Sequence, residues 1–233
     1  GVQTCALPIF TRPADASRGC AAGGRGLGVG MRLRSRLPLL AGLLLLVLPA
    51  AVPRAAQPAG PFPDWRALEE ETIKHFQALV RLDTSDPPGN EAPAVAYLRG
   101  VLEAEGIPVK IFALEPHRPN LVARLRGNGT RRPLLLMAHT DVVNVDPRKW
   151  RHPPFGAVRE GGWVYGRGTL DDKDNVTASL MTMLLLKRGG VPLDRDVIFL
   201  AEAGEEGSVR HGIEFMVREH FAEIDAEIGR AHV

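Results

Sequence analysis

Strand-like and helix-like stretches alternate through residues 64–227 of this 233-residue chain, which predicts an α/β fold, a three-layer sandwich with a mixed, partly parallel sheet. Two apolar runs, Leu134-Leu135-Leu136-Met137-Ala138 and Val197-Ile198-Phe199-Leu200-Ala201, have no alternating polar positions, as expected of buried strands. Between them, residues 172–187 have the length and apolar content of a buried helix.

The remaining elements follow from spacing and punctuation. After a Pro/Ala/Gly-rich stretch, Asp64 can cap a helix carrying Leu68, Ile73, Phe76, Leu79 and Val80 at helical intervals. The Glu69-Glu70-Glu71 run suits either the helix dipole or a solvated face. Pro87-Pro88-Gly89 marks a loop, and a second helix over 91–105 turns Val95, Leu98, Val101 and Leu102 inward before Gly106 ends it. Strands are expected at 108–113, 121–125 and 163–165, a long loop at 141–162, and a last helix at 212–221 with Ile213, Met216 and Val217 on one face.

With 45% hydrophobic and 24% charged residues the chain is globular in composition. A net charge of +2, with part of the Arg surplus in the first 36 residues, gives no support for nucleic-acid binding. Met31-Arg-Leu-Arg-Ser-Arg36, the apolar run that follows and the small residues before Gln57 read as a secretory signal peptide. Pro38 and Pro49 interrupt that run, so no stable membrane span is expected after cleavage, and the protein is expected to be exported, periplasmic or extracellular. Cys5 and Cys20 both precede Met31, which leaves the exported part without thiols: any metal must be held by His, Asp and Glu.

The ends carry a further signal. Thr4-Cys5-Ala6-Leu7-Pro8-Ile9 can be encoded by codons whose reverse complement, in a shifted frame, encodes Ile228-Gly229-Arg230-Ala231-His232-Val233, as translated sequencing adapter would be. The expected organisation is therefore a spurious or untranslated 1–30, a signal peptide at 31–56, a linker at 57–63, a catalytic-domain portion at 64–227 and an artefactual 228–233.

Three segments carry chemistry. His139 leaves the carboxyl end of an apolar strand, where α/β sheets bind ligands. It is either a structural histidine or a zinc ligand whose second ring nitrogen is held by Asp141. Asp171 follows Gly166-Arg167-Gly168 and opens a helix, as a cap or as a carboxylate that offers one oxygen to each of two metals. The Gly-x-Gly lacks the third glycine and the Lys-Ser/Thr of a nucleotide loop. Glu205 and Glu206 follow the second apolar strand, and adjacent side chains diverge, so one can bind metal while the other moves protons.

Taken in order, His139-Thr140-Asp141-Val142-Val143, Trp150, Pro154-Phe155, Tyr165-Gly166-Arg167-Gly168, Asp171-Asp172-Lys173 and Glu205-Glu206 resemble the di-zinc peptidase and deacylase family of aminoacylase, carboxypeptidase S, acetylornithine deacetylase, succinyl-diaminopimelate desuccinylase and glutamate carboxypeptidase. The resemblance spans about residues 65–227. It implies two Zn2+ ions, with Co2+ or Mn2+ as substitutes: His139 on one, Asp171 bridging, Glu206 on the other, Asp141 orienting His139 and Glu205 as general base. It also implies a cis peptide at Asp171-Asp172, although such bonds are rare without proline. Asp174 stands where the family usually has glycine, and Gly204 where an Asp is common; both bear on the substrate branch.

The implied reaction is hydrolysis of a peptide or N-acyl amino acid amide bond, in a carboxypeptidase, dipeptidase or deacylase. A further acidic zinc ligand, a distant C-terminal His and a lid domain that often dimerises are not found in this sequence, so the catalytic domain reads as incomplete and a homodimer as possible through the missing lid. Glu223, Asp225 and Glu227 lie near the expected ligand without matching its motif, and Glu202, His211 and His220 read as structural or surface residues. Alternative functions are a non-catalytic binding relative of the same fold and a metal-dependent phosphoesterase.

Overall fold

The computed structural model describes residues 6–8 and 64–230, with side chains for 64–227. The expected signal peptide (31–56), the linker (57–63), Cys5 and Cys20 lie outside the described residues. In chain order the elements are β1 (Ala6–Pro8), α1 (Trp65–Val80), β2 (Ser85–Asp86), α2 (Ala92–Ala104), β3 (Val109–Ala113), β4 (Pro119–Leu125), β5 (Leu134–His139), β6 (Val142–Val143), β7 (Val158–Glu160), β8 (Trp163–Tyr165), α3 (Lys173–Arg188), β9 (Val197–Glu202), α4 (Ile213–Glu219), α5 (Phe221–Ile224) and β10 (Ile228–Arg230). No helix among the described residues is long and apolar enough to cross a membrane.

The main sheet has the order β10-β5-β9-β4-β3. Its β10, β5 and β9 strands are parallel, and β4 and β3 continue antiparallel, so it is mixed with a parallel core as expected. Alternate residues of each central strand serve opposite faces. Val197, Phe199 and Ala201 join Leu121, Ala123 and Ala138 in a cluster with α1, α2 and α3, through Leu79, Leu98, Leu102, Leu180 and Leu184. Ile198, Leu200 and Val122 face the other way, against Phe215 and Met216 of α4 and Ile224 of α5. Sheet and helix layers thus form the three-layer sandwich, and burial on both sides explains the unbroken apolar runs.

Local signals act as read in most places. Asp64 caps α1 by accepting from Arg66 N and Ala67 N at 3.0 and 3.4 Å. Gly106 ends the α2 turn with φ +67°, a conformation few other residues adopt. The acidic run of α1 lies past its first turn, so the dipole plays no part: Glu70 pairs with Arg159 and Glu71 with Arg188.

Two expectations need correction. The 141–162 stretch is not one loop; it holds β6, a 3-10 turn at Pro147–Lys149 and β7. Such short elements have no period to read: β6 exists because Val142 is buried and pairs with Ser85. The last helix breaks at His220, where φ −134° and ψ 24° leave helical geometry and the ring settles 4.3 Å from Phe112 and 4.9 Å from Phe215 between centroids. Val217 is exposed, and Phe215 takes the inward position beside Met216.

Candidate metal centre

Parallel pairing of β5 with β9 sets the site. The register places His139 opposite Glu202, so both strands end at the same level. Thr140 locks that end by donating its N–H and its hydroxyl to Glu202 O, each at 2.9 Å. His139-Thr140-Asp141 and the turn carrying Glu205 and Glu206 therefore leave the sheet side by side, at the carboxyl edge where such sheets bind ligands. The start of α3 delivers the third segment, with a cis peptide at Asp171-Asp172.

Four of the five expected site residues bring their side chains together, and the fifth, Glu206, joins them through its backbone N–H. His139 Nε2 lies 2.9 Å from Asp171 Oδ1 and 3.8 Å from Glu205 Oε2. On the other side of the ring, Nδ1 lies 3.3 Å from Asp141 Oδ1 and 3.1 Å from Asp141 O. Asp141 also accepts Glu205 N at 3.1 Å and Glu206 N at 2.9 Å, so one buried carboxylate holds both the imidazole and the Glu-Glu turn. Glu206 stands at the margin: its carboxyl is raised by burial first, then by the negative charge of Asp171, with Glu205 and Asp141 adding to it against His139.

Burial alone would lower the His139 pKa; the hydrogen bond and charge of Asp141, with Asp172 and Asp171 behind them, instead push it up to about 10. Asp141 moves the other way. Burial would raise it, but His139 and the two backbone N–H donors hold it below the ordinary carboxylate range. The pair is an imidazole backed by a permanent anion, the arrangement that fixes tautomer and raises basicity in metal-ligating histidines.

Asp171 is not the helix cap. That position falls to Asp172, whose carboxylate turns away from the helix end to accept His139 N at 3.2 Å and Asn175 Nδ2 at 2.6 Å. Asp171 is left with its carboxylate about half exposed beside His139 Nε2. His139, Asp171 and Asp172 offer donor atoms within 4.8 Å of one another. One imidazole among hard carboxylates suits zinc or a similar divalent ion, so the residues present fit a metal centre.

Sequence reasoning missed several neighbours. Asp172 was legible only as the partner of Asp171. Glu202, read as structural or surface, is buried in the site, and burial pushes its carboxyl up to about 7, with His139 opposing and Asp141 and Glu205 reinforcing. Its available signal was register: the residue that ends β9 must sit opposite the one that ends β5. Lys173 is fully buried and donates Nζ to Leu82 O at 2.6 Å; desolvation brings its pKa down to about 7 against the pull of Asp83 and Asp141. His211 is bound to Arg118 and Glu115, and His220 packs between Phe112 and Phe215.

Residues 135–233 match the family described as Peptidase family M20/M25/M40. Over those residues the chain is similar to the M20 family. Curated relatives include the N-formyl-4-amino-5-aminomethyl-2-methylpyrimidine deformylase of Halalkalibacterium halodurans, 37% identical over 142 residues, covering 59% of this chain and 33% of the relative. The succinyl-diaminopimelate desuccinylase of Methylobacterium sp. is 37% identical over 142 residues, covering 58% of this chain and 35% of its own. The chain thus spans about a third of the length of these relatives. Among solved structures, the M20 family metallo-carboxypeptidase of Sulfolobus solfataricus superposes with a TM-score of 0.59 at 22% identity, over 68% of this chain and 36% of that one. Human carnosine dipeptidase 1 gives 0.57 at 20% identity, over 72% and 40%. These structural likenesses show that the chain shares the α/β fold of those two proteins over the superposed part.

Proposed function

We propose that this chain supplies the N-terminal part of the catalytic domain of an exported two-zinc amidohydrolase, which cleaves a peptide or N-acyl amino acid amide bond. The observation that carries the reading is His139, held at Nδ1 by Asp141 while Nε2 faces Asp171 and Glu205 at 2.9 and 3.8 Å. A purely structural histidine has no use for two partly exposed carboxylates beside its Nε2.

In this reading His139 would hold one zinc, Asp171 would bridge both and Glu206 would hold the second, with Co2+ or Mn2+ as possible substitutes. Bound there, zinc would supply Lewis acidity, polarising the substrate carbonyl and bringing water to a reactive state near neutral pH. The chain's own residues do the rest. Asp141 keeps the His139 tautomer and fixes the turn beneath Glu205 through the two backbone N–H groups. Glu205, about half exposed at the mouth of the site, takes the proton of the attacking water and returns it to the leaving nitrogen. Names of the relatives point to small acylated amines and amino acids as the substrate class, and homodimerisation through a lid domain remains part of the proposal.

The test is a substrate panel on the full-length protein, with and without chelator. Hydrolysis of dipeptides or N-acyl amino acids that stops on chelation and returns with zinc supports the reading. Phosphoester turnover without amide turnover would replace it by the phosphoesterase reading, and tight binding without any turnover by the non-catalytic one.

A further inference from the structure

Beneath the turn that carries Glu205 and Glu206 lies a buried ion cluster centred on Arg118. The guanidinium donates Nη2 to Asp86 Oδ2 at 2.5 Å and to Glu91 Oε1 at 2.6 Å, and Nε to Glu91 Oε2 at 3.2 Å. All three side chains are nearly or completely buried. Carboxylate oxygens of Asp86, Glu91 and Asp141 lie within 4.8 Å of one another; the guanidinium pairs with the first two, and Asp141 has His139 as its own cation. Burying such acids without a cation is prohibitively costly, and a forked donor can serve two of them at once.

We propose that Arg118 is a positioning residue that, with Asp86 and Glu91, moulds the 204–207 turn and thereby places Glu205 and Glu206. The proposal rests on the roles given to those two glutamates. Its basis is contact. Gly204, at φ +74°, brings its backbone so close that a Cβ there would sit 3.2 Å from Arg118 Nη2, and a Cβ at Gly207 would overlap the Asp86 carboxylate. Both glycines are therefore seated directly on the ion pair. The same cluster reaches the far end of the segment: Arg118 Nη1 donates to His211 Nδ1 at 3.1 Å, and His211 Nε2 donates to Glu115 Oε1 at 3.2 Å.

Asn120, two residues from Arg118 on β4, completes the frame. Its Oδ1 accepts Ala203 N at 3.0 Å and its Nδ2 donates to His211 O at 2.7 Å, pinning the segment where it leaves β9 and where it approaches α4. Asp141 pins the middle through Glu205 N and Glu206 N. The turn thus has polar restraints at its two ends and at its centre, and Arg118 fills the space between them. Replacing the fork lets Asp86 move, and with it Gly207 and the adjacent Glu206.

Two variants of the full-length protein test this. Asp86→Asn/Glu91→Gln/Arg118→Met removes the cluster while Asp141 keeps its own partner His139, and Arg118→Lys keeps the charge without the fork. Amide hydrogen exchange is followed across 203–208, with 197–202 as internal reference. Exchange at Glu205 and Glu206 is expected to quicken about tenfold or more in both variants while the reference strand is unchanged. In turnover, kcat is expected to fall about 10²-fold with KM within about threefold, since misplacing a catalytic group by about 1 Å costs that much, and Arg118→Lys should recover part of it. Wild-type protection of 203–208 in either folded variant overturns the proposal. If the unaltered protein hydrolyses no amide, the functional reading fails, and the exchange measurement alone still decides whether Arg118 places the turn.

Discussion

The Asp141 carboxylate accepts the backbone N–H of Glu206 at 2.9 Å, joining residues 65 apart in the sequence. Its other oxygen accepts Glu205 N at 3.1 Å and faces His139 Nδ1 at 3.3 Å. A side chain two residues beyond the proposed ligand therefore ties together two of the three segments that form the centre, and its removal affects more than the imidazole.

Asp141→Asn tests that coupling. An amide offers one acceptor oxygen where the carboxylate has two, so either Glu206 N, or Glu205 N together with His139 Nδ1, loses its carboxylate partner in a buried setting. Zinc affinity is expected to fall about 10–100-fold, read by competition with a chromophoric chelator. Unchanged affinity in the folded variant would show that Asp141 does not serve the ligand.

Glu202 gives a pH-dependent prediction for the metal-free protein. Its folded pKa of about 7 lies above the ordinary 4.5, so the folded state binds the proton more tightly than the unfolded chain. The resulting stabilisation is complete below pH 4.5 and is lost as pH rises through about 7, on the order of 3 kcal/mol by linkage. Glu202→Gln, which keeps an acceptor for the N-terminus of α4, is expected to flatten the fall in Tm between about pH 5 and 8. An equally steep fall in the variant, followed by thermal melts across that range, would contradict the assignment.

The helical layer is tested at Leu98, fully buried where α2 meets α3 and the sheet. Leu98→Ala is expected to cost about 2–5 kcal/mol from lost transfer energy and the cavity left behind. Urea denaturation measures it, and a loss under about 1 kcal/mol would mean that the site collapses or is not in the core.

Much of this architecture was legible before any coordinates, because periodicity reports burial. The runs ending at Ala138 and Ala201 announced central strands, and the acidic and imidazole residues just beyond them announced a ligand edge. What stayed hidden depends on tertiary neighbours. Arg118, Asp86 and Glu91 belong to no sequence motif, and only the fold makes them a buried cluster. Val217 fits the helical pattern but is exposed, since His220 ends α4 after Glu219 and the inward side falls to Phe215 and Met216. Asp171 satisfied two descriptions, cap and bridging carboxylate, until the cap position proved to be Asp172.

The account stands or falls most directly on Glu205→Gln in the full-length protein, assayed for bound zinc and for amide hydrolysis together. Glu205 is proposed to move protons and not to hold metal, so zinc content should equal that of the unaltered protein while kcat falls about 10²–10⁴-fold. Full turnover in the zinc-loaded variant would contradict the account, and so would loss of zinc with turnover falling in proportion.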